Sequence, residues 1–167
     1  YLLIQRYRFG DRFQYKELID ETDEQLFCSK LPVLTLQPIV ENALLHGINP
    51  RVEGGCIVLR VKVVSDRLQI SVEDDGIGIP ELELQKIRHA LGENRPPERR
   101  RGKKSSGIAL YNVNSRIRLY FGDRYGVDMT STVGVGTCVL VTLPLIYSDE
   151  ESRTNERRSS VRGESDN

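Results

Sequence analysis

Two pairs of segments with alternating apolar residues constrain the fold of this chain more than any other feature. Residues 56–64 place apolar side chains on one face, and residues 67–74 do the same after a two-residue turn. A second pair spans residues 126–133 and 137–146. Alternation with a period of two is typical of half-buried strands, and short turns join antiparallel neighbours. The pattern therefore predicts two antiparallel hairpins, each with one buried face.

Helical patterns surround these hairpins. Apolar residues recur at helical spacing over residues 34–45, 81–91 and 107–121, and a further strand pattern covers residues 12–19. This order of elements predicts an α/β (α+β) two-layer sandwich. In such a fold, a mixed, mostly antiparallel five-stranded sheet is covered by helices on one face.

The composition narrows the classes of function. The 24 basic side chains equal the 24 acidic ones, which disfavours general binding to nucleic acids or anionic membranes. The three cysteines are widely spaced and form no CxxC pair, so they predict neither a disulfide framework nor a zinc site. No apolar stretch approaches the roughly 20 residues that span a bilayer. These features favour a cytoplasmic domain with one core.

The two ends of the chain differ from its middle. Residues 1–8 carry apolar residues near helical spacing and predict the last turns of a helix that begins upstream, which fits a chain starting at Tyr1. Residues 148–167 contain Val161 as their only sizeable apolar residue, so we expect a disordered tail. The folded domain is predicted to occupy residues 9–147.

The end of the second strand carries the first candidate site residue. The apolar alternation of residues 68–72 continues to Asp74 on the buried face, and a buried carboxylate requires a partner. Gly76 and Gly78 follow in the sequence DDGIGIP, where the absence of side chains lets another group approach the backbone. Taken alone, this motif also fits a strand-end aspartate followed by a glycine turn.

Two further segments could complete a site. In LQPIVENALLHG, helical spacing places Pro38, Asn42 and His46 on one face. The Asn42 amide oxygen is a reasonable Mg²⁺ ligand beside phosphates, although Asn42 alone also fits a solvent-facing position. His46 fits a wall residue or a partner of the helix dipole better than a catalyst. The helix that begins at Gly107 offers free N–H groups to a phosphate, and the basic loop before it, residues 92–106, is long enough to be a lid.

Four motifs, in this order, carry a resemblance to a known superfamily. VENALLHG, DDGIGIP, GIALYNV and GVGTCVLVTLP resemble the N, G1, G2 and terminal glycine boxes of the GHKL (Bergerat) ATP-binding superfamily. More narrowly, IQRYRFGDRFQY, LQPIVENALLHGI and SGIALYNVNSRIRLYFG are similar to the catalytic ATP-binding domain of LytS/YesM-type bacterial sensor histidine kinases. The resemblance implies the Bergerat fold.

The resemblance also implies a site for ATP and Mg²⁺. Asp74 would pair with the adenine amino group, Gly76 and Gly78 would shape the floor beside the base, and Asn42 would ligate Mg²⁺. Gly107 would begin the phosphate-facing helix. The implied ATP-binding residues are Asn42, His46, Asp74, Gly76, Ile77, Gly78, Ile79, Lys103, Lys104, Ser105, Ser106, Gly107, Ile108, Ala109, Leu110 and Thr137, and the candidate catalytic residues are Glu41 and Asn42.

The resemblance further implies partners for the parent protein. These are ATP or ADP, an upstream dimerisation and phosphoacceptor domain of which residues 1–8 are the end, a response regulator and a second copy of the parent, but no nucleic acid. The domain would be the cytoplasmic part of a membrane sensor. Phosphoryl transfer needs positioning and charge neutralisation more than covalent chemistry by the protein, so the nucleophilic histidine can lie on another domain. The isolated chain is expected to bind ATP and to transfer little.

Three positions depart from the superfamily pattern. Ala109 replaces the second glycine of the G2 box, and Leu45 stands where many relatives carry a lysine, so basic residues of the lid would have to meet the phosphate charge. Pro38 occupies the place of the glutamate general base of gyrase-type ATPases, which disfavours efficient activation of water. Two alternatives stay open: a nucleotide-sensing pseudokinase module, and a gyrase-like or chaperone-like GHKL ATPase.

Overall fold

The computed structural model describes residues 13–19, 26, 35–97 and 107–146. The predicted upstream helix, the predicted tail and most of the predicted lid lie outside the described residues. Within these ranges the chain forms five strands, three α-helices and one π-helical segment. Their bounds are β1 Phe13–Ile19, α1 Gln37–Asn42, the π-helix Ala43–Ile48, β2 Gly55–Val64, β3 Arg67–Asp74, α2 Glu81–Gly92, α3 Ile108–Phe121, β4 Gly126–Thr132 and β5 Gly136–Pro144.

The strands form a single mixed sheet in the order β1-β2-β3-β5-β4. β1 runs parallel to β2, whereas the three other pairs are antiparallel. β2 and β3 form the first predicted hairpin, with Ile57 opposite Asp74, and β4 and β5 form the second, with Ser131 opposite Thr137. The predicted two-layer α/β architecture is therefore confirmed.

The core lies between the sheet and the helices. Alternate residues of the two central strands are almost fully buried, including Ile70, Val72 and Val141. The helices contribute Leu84 and Ile117 to the same hydrophobic cluster. Because the buried side chains of each strand follow a period of two and those of each helix a helical period, both layers turn one apolar face inward. None of the helices in the described ranges has the length and apolar character that crossing a bilayer requires.

The helix predicted over residues 34–45 differs from expectation in both position and type. It begins at Gln37 with Pro38 in its first turn, where a missing N–H is tolerated. After Asn42 it continues as a π-helix to Ile48, and the Asn49 N–H bonds to the Leu44 carbonyl at 2.8 Å. Hydrogen bonds from i to i+5 widen the turn, and such segments are frequent at functional sites. The π-helix lies beside the carboxyl end of β3.

Candidate functional site

A cavity of about 250 Å³ lies between the sheet and the helices at the end of β3. Its apolar walls come from the sheet, through Val72, Met129 and Val139, and from α2, through Ile87. Among the positions predicted from the sequence, those that line the cavity are Asn42, His46, Asp74, Ile77, Gly78, Ile79, Gly107, Leu110 and Thr137. Residues far apart in the chain thus meet around one space.

Asp74 provides a carboxylate at the sheet side of the cavity. It ends β3, directly after the buried residues of that strand, and its Oδ1 accepts the Gly76 N–H at 2.9 Å. Burial raises the pKa of this carboxyl to about 6, although the backbone N–H groups of Gly76 and Thr137 act in the opposite direction and the Asp75 charge adds to the rise. At neutral pH the group is still ionised, so it presents only hydrogen-bond acceptors to the cavity.

Glycines allow the backbone to pass close to this carboxylate. A Cβ on Gly76 would lie 2.5 Å from Asp74 Oδ1, and a Cβ on Gly47 would also collide with the carboxylate. The Ile77 N–H donates to the Gly47 carbonyl at 3.0 Å, which joins the π-helix to the loop after β3. Gly78 has a φ of +69°, and a Cβ there would meet the backbone of β4. The loop can take this path because the residues at positions 47, 76 and 78 have no side chain.

A second set of contacts holds the same loop from the opposite side. Asp75 Oδ1 accepts the Cys56 N–H at 2.7 Å, and Arg51 donates from Nη1 to the Asp75 carbonyl. The Asp75 side chain is half exposed and does not line the cavity. These contacts tie the start of β2 to the end of β3, and they were not predicted, since Arg51 and Asp75 belong to no periodic pattern.

Hydroxyl groups connect β4, β5 and the glycine loop on the sheet side of the cavity. Ser131 Oγ lies 2.9 Å from Thr137 Oγ1 and donates to the Gly136 carbonyl at 2.9 Å. The Ile79 N–H donates to the same Ser131 oxygen at 2.9 Å. Ser131 was not predicted as a site residue, and it does not line the cavity itself. It links β4 and β5 to the glycine loop.

The helical wall holds the predicted amide and imidazole. Asn42 and His46 line the cavity together, whereas Pro38, which was predicted on the same face, does not. Glu41, a candidate catalytic residue, accepts a hydrogen bond from Gln37 Nε2 at 3.0 Å and does not line the cavity. Leu45 is exposed to solvent. Of the site residues predicted on this wall, Asn42 and His46 therefore line the cavity and Glu41 does not.

The start of α3 closes one side of the cavity. Gly107 adopts a φ of +89° as the N-cap, and its carbonyl accepts the Tyr111 N–H at 2.8 Å. Gly107 and Leu110 line the cavity, whereas Ile108 and Ala109 do not, because residues three apart share a helix face. The predicted residues Lys103, Lys104, Ser105 and Ser106 lie outside the described residues.

Comparisons with known proteins show to which class of protein this fold and cavity belong. The family model described as histidine kinase-, DNA gyrase B-, and HSP90-like ATPase matches residues 31–146. The chain therefore belongs to this family. It is of the LytS/YesM type, as the sequence motifs predicted.

Two curated relatives are similar over most of the chain. The sensor histidine kinase YesM of Bacillus subtilis is 33% identical over 144 residues, which are 86% of this chain and 22% of that protein. The sensor protein LytS of Bacillus subtilis is 34% identical over 147 residues, which are 87% of this chain and 23% of that protein. The chain thus spans less than a quarter of the length of either relative.

Solved structures share the fold. The catalytic domain of histidine kinase ThkA aligns with a TM-score of 0.60 at 17% identity, over 87% of this chain and 88% of that domain. ThkA in complex with the response regulator protein TrrA aligns with a TM-score of 0.55 at 16% identity, over 87% of this chain and 38% of that chain. At these identities the likeness concerns the fold.

Proposed function

We propose that this chain is the ATP-binding catalytic domain of a sensor histidine kinase. It would hold Mg²⁺-ATP for phosphoryl transfer to a histidine on the dimerisation and phosphoacceptor domain of its parent protein. The observation that carries the proposal is the ionised Asp74 carboxylate at the floor of an apolar cavity, beside a loop that glycines keep close. Family membership and the sensor kinase relatives support the same function.

The cavity suits the base of a nucleotide rather than the whole molecule. Its volume of about 250 Å³ is slightly below the usual range for sites that enclose a complete small ligand. Val72 and Met129 offer apolar surface to an aromatic ring, and Asp74 offers an acceptor to its amino group. The phosphates would then extend out of the cavity toward the start of α3 at Gly107, where free N–H groups and the helix dipole favour anions.

The metal would be held by few protein atoms. Asn42 lines the cavity next to the route that the phosphates would take, and its amide oxygen is a suitable ligand for a cation that keeps most of its water. When bound, Mg²⁺ neutralises phosphate charge and helps to orient the transferred group. His46 would contribute to the same wall. Lys103, Lys104, Ser105 and Ser106 are proposed as phosphate contacts from the sequence alone.

The partners follow from the class of protein. Transfer requires a phosphoacceptor histidine on another domain, and we propose that the parent protein is a homodimeric membrane sensor with this domain in the cytoplasm. The complex of ThkA with the response regulator TrrA supports a response regulator as the next acceptor. Nucleic acid is not proposed as a ligand.

The metal assignment is tested by the variant Asn42→Ala. We expect its ATP affinity with a chelator present to equal that of the unaltered chain, whereas the gain in affinity on adding Mg²⁺ disappears, because the amide ligand is lost and the base cavity is intact. Titration calorimetry with and without Mg²⁺ measures both quantities. Asn112→Ala, an exposed position on α3 outside the cavity, is the matched control. An undiminished Mg²⁺ gain in Asn42→Ala would contradict the assignment.

The transfer step needs a second experiment. The chain is mixed with γ-labelled ATP and the separately expressed dimerisation and phosphoacceptor domain of its parent. Label on a histidine of that domain is the expected result. Steady release of phosphate without transfer would instead favour a gyrase-like or chaperone-like ATPase. ATP binding without either reaction would favour a nucleotide-sensing pseudokinase.

A further inference from the structure

Ser131 sits at the centre of a small hydroxyl network next to the cavity. Its Oγ has three neighbours at 2.9 Å, namely the Ile79 N–H, the Gly136 carbonyl and Thr137 Oγ1. Ser131 and Thr137 are directly opposite each other on β4 and β5, and both are partly buried. Thr137 lines the cavity, whereas Ser131 does not. Ser131 therefore acts on a ligand through its neighbours rather than by direct contact, and Thr137 is the neighbour whose side-chain hydroxyl it orients.

The hydrogen-bonding capacity of a hydroxyl decides the direction of each bond. A serine hydroxyl has one proton and two lone pairs. The Ile79 N–H can only donate, so it occupies one lone pair of Ser131. The Gly136 carbonyl can only accept, so it takes the Ser131 proton. The bond to Thr137 must then be donated by Thr137, which leaves its oxygen with lone pairs alone.

We infer that Ser131 is a positioning residue that makes Thr137 a hydrogen-bond acceptor, so that the cavity prefers a base with an amino donor over one with a carbonyl at the same place. This inference rests on the proposed ATP-binding function and names its base selectivity. Asp74 and Thr137 then both present acceptors. An adenine amino group satisfies such a pair, whereas the 6-carbonyl of hypoxanthine, placed in the same orientation, faces lone pairs.

Without the Ser131 hydroxyl, the hydroxyl proton of Thr137 would lose its acceptor. The Thr137 hydroxyl could then rotate and donate to a carbonyl oxygen, so discrimination against hypoxanthine would weaken. A general loss of order in the site would instead lower the affinities for both bases by the same factor. Selective sites of this kind reject a ligand because groups are left without a proper partner. The ratio of two affinities therefore separates a positioning role from a merely structural one.

The experiment measures the affinities of ATP and ITP by calorimetry for the unaltered chain, Ser131→Ala and Ser131→Thr. We expect the unaltered chain to prefer ATP and Ser131→Ala to reduce the ATP/ITP ratio about three- to tenfold, which is the value of one net hydrogen bond. Ser131→Thr keeps the hydroxyl and should keep the ratio. Thr130→Ala, the exposed neighbour on the opposite face of β4, is the matched control and should also keep it.

A second variant covers the case in which Ser131→Ala does not fold. Thr137→Val removes the hydroxyl that faces the base and should lower the ATP/ITP affinity ratio by a similar factor. The double variant Ser131→Ala/Thr137→Val should show no further fall in this ratio. An unchanged ratio in folded Ser131→Ala, or in Thr137→Val, would overturn the inference while leaving ATP binding in place. Failure of the unaltered chain to bind either nucleotide would overturn the proposed function, and the inference with it.

Discussion

Replacing Asp74 by asparagine should weaken ATP binding and remove most of its pH dependence. The carboxylate offers a charge-assisted hydrogen bond to an amino group, worth about 1.5–3 kcal/mol, against about 0.5–1.5 kcal/mol for a neutral hydrogen bond. An asparagine oxygen that still accepts the Gly76 N–H would turn its NH₂ toward the cavity, where it repels another donor. At pH 7.5 we expect Asp74→Asn to bind ATP about ten- to a hundredfold more weakly.

The raised pKa of Asp74 sets the size of the pH effect. With a pKa of about 6, the carboxyl is almost fully ionised at pH 7.5 and about one-tenth ionised at pH 5. The ionised form accepts the hydrogen bond from the amino group much more strongly than the protonated form, so the apparent affinity should fall by up to about tenfold between these pH values. Asparagine does not titrate, and Asp74→Asn should not show this fall.

Calorimetric titrations at pH 7.5 and pH 5 test both parts. Phosphate groups of the ligand also titrate near pH 6, and the pH slope of Asp74→Asn corrects for them. Asp66→Asn, in an exposed turn, controls for the loss of one negative charge. Equal affinities of Asp74→Asn and the unaltered chain at pH 7.5, or parallel pH slopes, would refute the assignment of Asp74 to the base.

The remaining predictions concern stability, measured by urea unfolding. The folded pKa of Asp74, about 6, lies above its usual value of 3.8, so ionisation costs stability progressively as the pH rises from about 4 to about 6, and the full cost is present above pH 6. Asp74→Asn should therefore stabilise the ligand-free domain by about 1–2 kcal/mol at pH 7.5 but not below pH 4. Asn114 is buried and bonds through Nδ2 and Oδ1 to the backbone of two other segments at 2.9 Å, so Asn114→Ala should cost about 2–4 kcal/mol, against less than about 0.5 for exposed Asn112→Ala. Gly78→Ala should cost at least about 1–3 kcal/mol, because of its positive φ and the collision with β4, whereas Gly92→Ala meets nothing and should be neutral or stabilising. A stability loss in Asp74→Asn, or equal costs within either pair, would contradict these readings.

Local sequence patterns were sufficient to predict the strands and most of the helices. Apolar alternation depends on neighbours two residues apart, so the pairing of β2 with β3 and the end of that pattern at Asp74 were readable from the sequence. The close approach of the backbone at Gly76 and Gly78 could also be predicted, because these glycines directly follow the end of the strand. The helix predicted over residues 34–45 is α-helical only from Gln37 to Asn42, and its last three residues belong to a π-helix.

Contacts between segments that are distant in the chain could not be predicted from the sequence. No pattern indicated that the Gly47 carbonyl would bond to Ile77, or that Asp75 would bond to the N–H of Cys56. Likewise, Glu41 and Asn42 are adjacent in sequence, but only Asn42 lines the cavity. Such outcomes depend on how the helices pack on the sheet.

The sequence by itself determined the class of fold, the family and the strand end that carries Asp74, because periodicity and short motifs are properties of neighbouring residues. The tertiary structure alone decided which side chains meet around the cavity, how far the pKa of Asp74 rises, and that Ser131 reaches Thr137 across two strands. Burial and hydrogen-bond direction depend on everything that surrounds a group, and that environment exists only once the chain has folded.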